Sequence, residues 1–187
     1  MIPKVNHFRL ALITGGAKSG KSRYAQALAE SQPRPWLYVA TSEALDEEMA
    51  DRIARHQARR GSDWTTREEP LSLARTLQEA EARYGVILVD CLTVWLSNLM
   101  TRLAPDSDID SLEVMALLKV LENFNTPVIL VTNEVGWGIV PDNALAREFR
   151  DRAGDLNQRL SQLADLVVLV VGGLPLTLKP EPATLSE

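Results

Sequence analysis

A glycine-rich segment at residues 15–22 constrains this chain more than any other feature, because it lies between an apolar run and a helix-forming run. Its residues are Gly15, Gly16, Ala17, Lys18, Ser19, Gly20, Lys21 and Ser22. They fit the pattern of glycine, four residues and Gly-Lys-Ser, in which backbone N–H groups and a helix N-terminus surround phosphates. The lysine of this pattern reaches the outer phosphates and the serine ligates magnesium. The segment therefore predicts a nucleotide site; the alternative is a strand-to-helix turn that is merely rich in glycine.

The composition indicates an ordinary globular protein. The chain has 187 residues, of which 45% are apolar and 24% are charged, so we expect a single domain over residues 1–187 with loose ends at 1–8 and 180–187. A net charge of -5 argues against general attachment to nucleic acid or anionic lipid. No apolar run has the length of a signal peptide or a membrane span, so we expect a cytoplasmic protein.

The order of the predicted elements favours a parallel sheet with helices between its strands. Predicted strands cover residues 9–14, 36–40, 86–90 and 128–132. Predicted helices cover 21–31, 71–84, 92–100 and 111–124, and another, capped by Thr41-Ser42, runs towards Arg60-Gly61. Residues 63–70 are interpreted as a polar connection. Two further apolar runs, 166–171 and 174–179, flank Gly172-Gly173 and predict a hairpin that adds an antiparallel strand.

Polar residues follow two of the buried strands. Asp90 ends the third predicted strand, where a group that organises magnesium is needed beside a phosphate site; the alternative is a helix cap. Asn133 and Glu134 follow the strand at 128–132, and a parallel sheet would bring them to the same edge as the glycine-rich segment. Cys91, the single cysteine, is expected to be a buried thiol, with a catalytic thiol as the alternative.

The longest predicted helix follows Pro141-Asp142-Asn143. An apolar stripe predicts its core-facing side: Leu145, Phe149, Ala153, Leu156, Leu160 and Leu163. Four arginines lie outside the stripe and are interpreted as solvated or as facing a partner subunit or an anionic substrate: Arg147, Arg150, Arg152 and Arg159.

His56 shares one predicted helical face with Arg52 and Arg59, at spacings of i, i+4 and i+7. This spacing allows an imidazole between two guanidinium groups. It equally allows a histidine that covers apolar surface beside solvated arginines, and spacing alone favours that alternative.

Several segments together resemble one known family. With residues 15–22, they are Tyr-Val-Ala-Thr-Ser at 38–42, Arg-Ile-Ala-Arg-His at 52–56, Thr-Asn-Glu-Val-Gly-Trp-Gly-Ile-Val-Pro at 132–141 and Phe-Arg-Asp-Arg-Ala-Gly-Asp-Leu-Asn-Gln-Arg-Leu at 149–160. In this order they resemble the bifunctional adenosylcobinamide kinase / adenosylcobinamide-phosphate guanylyltransferase family of cobalamin biosynthesis. The resemblance spans residues 9–179, and the 52–56 and 132–160 segments are its specific parts.

The resemblance implies an α/β P-loop NTPase-like (RecA-like) fold and two reactions. The first phosphorylates the aminopropanol hydroxyl of adenosylcobinamide; the second transfers GMP from GTP to that phosphate through a covalent GMP-histidine, which by motif is His56. Lys21 is expected to assist catalysis, and Ser22 and Asp90 to hold Mg²⁺. Besides residues 15–22, the implied nucleotide contacts are Ala40, Thr41, Ser42, Gln57, Ala58, Arg59, Arg60, Glu68 and Asp90. GTP is the expected nucleotide, with ATP as the alternative donor in the kinase step, and a homotrimer is the expected assembly.

Two other functions stay open at this point. A simple P-loop kinase of small molecules, in which His56 only packs, would transfer a γ-phosphate without forming a protein-bound GMP. A nucleotide-gated binding protein would hydrolyse nucleotide slowly and form no small-molecule product. The acidic net charge argues against a nucleic-acid motor.

Overall fold

The computed structural model of the chain describes residues 8–42, 61–102 and 109–180. Within these ranges the strands are β1 (Leu10–Thr14), β2 (Trp36–Ala40), β3 (Trp64–Glu68), β4 (Val86–Asp90), β5 (Val128–Val131), β6 (Leu166–Val171) and β7 (Leu174–Lys179). The helices in the same ranges are α1 (Lys21–Glu30), α2 (Leu73–Ala80), α3 (Leu92–Arg102), α4 (Ile109–Glu122) and α5 (Ala144–Leu163). No helix in this part of the chain is long and apolar enough to span a membrane.

The strands form one seven-stranded sheet in the order β3-β2-β4-β5-β1-β6-β7. All neighbouring pairs are parallel except β6 and β7, which pair antiparallel. The prediction of a mainly parallel sheet with an antiparallel strand near the C-terminus is therefore confirmed. That residues 1–187 form a single domain stays a prediction.

Helices cover both faces of the sheet, which explains why the central strands are apolar without alternation. Leu10 and Leu12 of β1 pack into a core formed with α2, α3, α4 and α5. Ala11 and Ile13 of the same strand face the other way, into a core formed with α1. Both cores are continuous across the central strands, so β1 and the loop that follows it are held from two sides.

The segment predicted as a polar connection contains β3, so that prediction is wrong. β3 pairs in parallel with β2 and lies at the edge of the sheet. Because an edge strand has only one neighbour, the polar side chains of Thr65, Thr66 and Glu68 remain exposed, and no apolar pattern marks the strand.

Two helices also differ from their predictions. Helix α2 ends at Ala80 rather than at residue 84, because Glu81 is extended and Ala82 has a φ of 59°. The amide of Ala82 donates a 2.9 Å hydrogen bond to Thr126 Oγ1, which directs the chain away from the helix axis.

The apolar stripe of α5 faces the core only in its second half. Ala153, Leu156 and Leu160 are buried, whereas Phe149 is partly exposed and Leu145 is 52% exposed. A helix of 20 residues is about 30 Å long and a five-residue strand about 17 Å. The sheet is therefore too short to cover the whole stripe.

Candidate nucleotide-binding site

The glycine-rich segment forms the turn between β1 and α1, in the strand-before and helix-after context that the motif requires. Gly20 has a φ of 99° and stands at the N-cap of α1, and Lys18 adopts a left-handed φ of 55°. The Ser19 amide donates to the Gly16 carbonyl at 3.2 Å, which closes the turn. The loop therefore has a defined shape at the positive end of a helix dipole, as a phosphate site needs.

Lys21 lies folded against this loop. Its side chain is buried, and Nζ donates a 3.0 Å hydrogen bond to the Gly16 carbonyl. Burial lowers the pKa of Lys21 below its usual 10.5, while nearby Cys91 and Asp90 act in the opposite direction. The structure thus places Lys21 and Asp90 within electrostatic reach of each other.

The β6–β7 hairpin supports the loop from the side. The Gly173 amide donates a 2.8 Å hydrogen bond to the Ser19 carbonyl. A Cβ atom on Gly15 would lie 2.4 Å from the Val170 carbonyl oxygen, and Gly15 itself has a φ of 151°. The sequence predicts this hairpin but gives no sign that it contacts the glycine-rich segment.

The carboxyl ends of the parallel strands form a row. In the register of the sheet, Glu68 pairs with Ala40, Ala40 with Asp90, Asp90 with Val131, and Val131 with Ile13. Four strand steps separate Glu68 from β1, which is roughly 19 Å at about 4.8 Å a step. Glu68 thus lies at the same edge of the sheet as the glycine-rich loop, but four strand steps away from it.

Asp90 is half-buried at the end of β4. The Tyr38 hydroxyl donates to its Oδ2 at 3.2 Å. Magnesium in nucleotide sites keeps several waters and takes one or two protein oxygens together with phosphate oxygens. The described residues contain no cluster of three or more His, Cys, Asp or Glu side chains that could hold a metal ion. Asp90 and Ser22, which lies in the first turn of α1, fit this limited role.

Thr41 is fully buried, and its hydroxyl binds both backbone groups of Cys91. Thr41 Oγ1 accepts from the Cys91 amide at 2.9 Å and donates to the Cys91 carbonyl at 2.8 Å. Asn98 Nδ2 donates to the Thr41 carbonyl at 2.8 Å. These bonds join the ends of β2 and β4, whereas contacts of Ala40, Thr41 and Ser42 with a nucleotide stay predictions.

The Cys91 thiol is largely enclosed beside Asp90. Burial and the negative charge of Asp90 raise its pKa above the usual 9.0, although a contact with Thr93 Oγ1 at 3.2 Å works against this. A thiol with a raised pKa is a poor nucleophile, which favours the interpretation of Cys91 as a buried thiol.

A polar network beside the loop centres on Glu134. Its Oε1 accepts hydrogen bonds from Thr14 Oγ1 at 2.7 Å and from Asn157 Nδ2 at 3.3 Å, and its amide donates to the Gly15 carbonyl at 3.2 Å. Asn157 is buried and accepts a 2.8 Å bond from Thr132 Oγ1. The prediction that Glu134 reaches the same edge as the glycine-rich segment is confirmed.

Sequence reasoning did not identify Asn157 or Thr14 as members of the site. A signal for Asn157 exists, because Ala153, Asn157 and Leu160 follow the core-facing spacing of four and three along α5. A buried amide within an apolar stripe requires hydrogen-bond partners. The partners of Asn157 are the polar residues beside the glycine-rich loop.

Five of the predicted site residues lie outside the described residues: His56, Gln57, Ala58, Arg59 and Arg60. The described chain stops at Ser42, at the same sheet edge as the loop, and resumes at Gly61 before β3. The roles of these five residues stay predictions.

The four arginines outside the stripe of α5 have contacts within the protomer. Arg147 Nη1 donates to the Pro141 carbonyl at 2.8 Å, and Arg150 and Arg152 pair with Asp151 and Glu148. Arg159 Nη2 lies 2.9 Å from Met115 Sδ. These contacts hold the four guanidinium groups at the surface of α5, away from the glycine-rich loop.

Comparison with known proteins decides the family. Residues 11–178 match the family described as cobinamide kinase / cobinamide phosphate guanyltransferase. The chain belongs to this family. It is 46% identical over 171 residues to the bifunctional adenosylcobalamin biosynthesis protein CobP of Pseudomonas aeruginosa, covering 91% of this chain and 98% of that protein. It is 43% identical over 182 residues to the protein of that description named CobU in Salmonella typhimurium, covering 91% and 99%.

The fold is also found outside the family. An ATPase from the type III secretion system of pathogenic bacteria superposes with a TM-score of 0.53 at 11% identity, covering 90% of this chain and 56% of that one. At this identity the likeness concerns the fold alone, and it agrees with a P-loop NTPase arrangement.

Proposed function

We propose that this chain is both an adenosylcobinamide kinase and an adenosylcobinamide-phosphate guanylyltransferase. It phosphorylates the aminopropanol hydroxyl of adenosylcobinamide and then transfers GMP from GTP to the new phosphate, releasing pyrophosphate and adenosylcobinamide-GDP. The family match over residues 11–178 is the observation that carries the proposal. The formed phosphate loop with its buried lysine supports it.

In the kinase step, the loop binds and orients the triphosphate. Backbone N–H groups of residues 15–22 and the N-terminus of α1 provide fixed donors that need no rearrangement during the reaction. Lys21 exchanges its bond with the Gly16 carbonyl for a phosphate oxygen. Because the lysine is buried, its charge is less screened there than at the surface.

Ser22 and Asp90 would hold magnesium, which would supply positive charge to neutralise part of the charge on the phosphate oxygens. Tyr38 holds Asp90 through Oδ2, which leaves the other carboxylate oxygen of Asp90 without a protein donor among the described residues. The protein thereby fixes the direction of the carboxylate before any ion arrives.

In the transfer step, His56 attacks the α-phosphorus of GTP through a neutral imidazole nitrogen. A nitrogen–phosphorus bond forms, the bond to the bridging oxygen breaks, and pyrophosphate leaves; the phosphate of adenosylcobinamide phosphate then attacks the same phosphorus and frees His56. Arg52 and Arg59, at helical spacing from His56, would favour the neutral imidazole and stabilise charge on the phosphates. Dividing one exchange into two displacements is the advantage of the covalent route.

Label transfer tests this proposal. GTP labelled at the α-phosphate should leave an acid-labile label on the wild-type protein and none on His56→Ala. His7→Ala is the matched control, because His7 and His56 are the two histidines of the chain. A wild-type protein that stays unlabelled, or a His56→Ala protein that labels as strongly, would contradict the guanylyl-histidine.

The nucleotide donor of the kinase step is a separate part of the proposal. GTP serves both steps, with ATP as the alternative donor in the first. Formation of adenosylcobinamide phosphate from each nucleotide, labelled at the γ-phosphate, distinguishes them. Residues Ala40, Thr41, Ser42, Gln57, Ala58, Arg59, Arg60 and Glu68 are the proposed nucleotide contacts beyond the loop and Asp90.

We also propose that the protein is a homotrimer and acts in the cytoplasm. The exposed apolar side of β7 supports an assembly: Leu174, Leu176 and Leu178 are 74%, 55% and 47% exposed. Light scattering should give three times the protomer mass for wild type and for Leu112→Asp, whose leucine lies on α4 and is 63% exposed. It should give a lower mass for Leu176→Asp. Cell fractionation checks the compartment.

A further inference from the structure

We propose that Glu134 is the general base of the kinase step, and this inference rests on the proposed function. Phosphorylation of an alcohol requires the hydroxyl proton to leave as the oxygen–phosphorus bond forms. A carboxylate within reach of the hydroxyl can accept that proton. Among the described residues, Glu134 combines a position beside the phosphate loop with a carboxylate oxygen that has no partner.

The position of Glu134 follows from the sheet order. β5 is the direct neighbour of β1, so the residues after β5 emerge beside the residues after β1. The 3.2 Å bond from the Glu134 amide to the Gly15 carbonyl fixes this adjacency at the first glycine of the loop. Asp90, by contrast, ends β4, which is one strand farther from β1. The two carboxylates therefore have different places at the site, and Asp90 is the one suited to the metal.

The two oxygens of the Glu134 carboxylate have different surroundings. Oε1 accepts from Thr14 Oγ1 and from Asn157 Nδ2, at 2.7 and 3.3 Å. Oε2 receives no hydrogen bond from any described residue, and no described lysine or arginine forms an ion pair with Glu134. One oxygen is thus held in place while the other is available to a group from outside the protomer.

The holding groups are themselves fixed. Thr14 and Asn157 are buried, and Thr132 Oγ1 donates to Asn157 Oδ1 so that the amide nitrogen of Asn157 points to Glu134 and to the Asn133 carbonyl. Thr14 and Asn157 are therefore positioning residues. A carboxylate oriented in this way loses little freedom when the substrate hydroxyl arrives, which is the advantage of a preorganised base.

The substrate O–H bond breaks as its proton passes to Glu134 Oε2, the oxygen forms a bond to the γ-phosphorus, and the nucleoside diphosphate leaves. Glu134 then releases the proton to solvent. The transfer step needs no such base, because neutral imidazole and an ionised phosphate monoester attack without losing a proton.

Because only the kinase step needs a general base, a variant without the base should lose the kinase activity and keep GMP transfer. Glu134→Gln keeps an oxygen acceptor for Thr14 but cannot take a proton. The kinase turnover should fall by roughly 10²- to 10⁴-fold, the range for loss of a general base. GMP transfer from GTP to supplied adenosylcobinamide phosphate should stay near the wild-type rate. Glu122→Gln is the matched control, because Glu122 is exposed at the end of α4, next to the opposite end of β5, and both activities should persist in it.

The other outcomes decide against the proposal. A Glu134→Gln protein that is as stable as wild type and keeps its kinase rate overturns it, as does a parallel loss of both activities, which would indicate a role in binding the nucleotide. If Glu134→Gln does not fold, Glu134→Asp decides instead. Its shorter arm moves the base away from the substrate hydroxyl, so the kinase turnover should fall while GMP transfer stays near the wild-type rate. A wild-type protein without either activity would refute the proposed function itself, so the two failures are distinguishable.

A pH profile provides a readout that a structural role would not change. In the wild-type protein, the kinase turnover should decrease at acid pH, because a general base acts only in its unprotonated form. Glu134→Gln should lack this acid limb, while the pH profile of GMP transfer should be the same in both proteins. An unchanged acid limb in the variant would contradict the assignment.

Discussion

Thr14 Oγ1 donates a 2.7 Å hydrogen bond to Glu134 Oε1, and this bond joins the last residue of β1 to the residues that follow β5. The two residues are 120 positions apart in the chain. Their contact brings the Glu134 carboxylate to the side of the phosphate loop. It also determines which carboxylate oxygen accepts hydrogen bonds from the protein. The geometry of the candidate site therefore depends on the pairing of these two strands.

The first prediction concerns this bond. Thr14→Val keeps the shape of a buried side chain but removes the donor, so the Glu134 carboxylate would retain one of the two hydrogen bonds that it accepts. Because the lost bond is to a charged group, the free energy of unfolding should fall by about 1–3 kcal/mol. Urea unfolding monitored by circular dichroism measures this, and unchanged stability would show that the bond contributes nothing net.

The second prediction concerns the first glycine of the loop. Gly15→Ala should destabilise the protein by about 1–3 kcal/mol and weaken nucleotide binding, because its Cβ would lie 2.4 Å from the Val170 carbonyl oxygen. Gly16→Ala is the matched control for stability, since no atom beyond its chain neighbours lies within 4 Å of its added Cβ. Thermal unfolding measures the stability of both variants, and titration with GTP measures the binding of Gly15→Ala. Equal loss of stability in the two variants would argue against a close approach between the hairpin and the loop.

The third prediction is proton uptake on nucleotide binding. The pKa of Lys21 in the free protein lies below 10.5 because of burial, and a bound phosphate favours the charged amine and raises it again. Between the lowered pKa and 10.5, part of the free protein has a neutral Lys21, so binding takes up protons and affinity falls as the pH rises.

Calorimetry measures this uptake. GTP is titrated into the protein in two buffers of different ionisation enthalpy, at a pH between neutrality and 10.5. The uptake should be absent in Lys21→Met, whose side chain does not titrate. Equal uptake in wild type and variant would assign the proton to another group.

The fourth prediction concerns the Cys91 thiol. Since burial and Asp90 raise its pKa above 9.0, little thiolate forms near neutral pH, and the folded protein should react slowly with a thiol reagent such as iodoacetamide. In denaturant the same cysteine should react at the rate of an ordinary thiol. Mass spectrometry over time follows both reactions, and fast labelling of the folded protein would support the alternative of a reactive thiol.

The strands were the most predictable part of the fold. β2 and β4 have the bounds that the sequence predicts, and so do β6 and β7 around Gly172-Gly173. These strands are short apolar runs between turn residues. Such a pattern is typical of a strand that is buried on both faces of a sheet. β3 was missed because an edge strand acquires its structure from the backbone of its neighbour rather than from its own side chains.

The candidate site was predictable only in part. The glycine-rich segment and the positions of Asp90 and Glu134 at one sheet edge follow from local patterns and from the direction of parallel strands. The partners of Glu134 do not. Thr14 is 120 positions away on β1, and the polar side chain of Asn157, on the helix that follows, is hidden within an apolar stripe.

By itself the sequence determined the phosphate loop, because a backbone that turns through Gly15 and Gly20 between a strand and a helix is specified by adjacent residues. It likewise determined the buried strands. The tertiary structure alone decided the strand order, which separates β4 from β1 by β5 and so places Glu134 next to the loop and Asp90 one strand away. The reason is physical: strand order depends on how helices cover the two faces of the sheet, and that packing joins residues far apart in the chain.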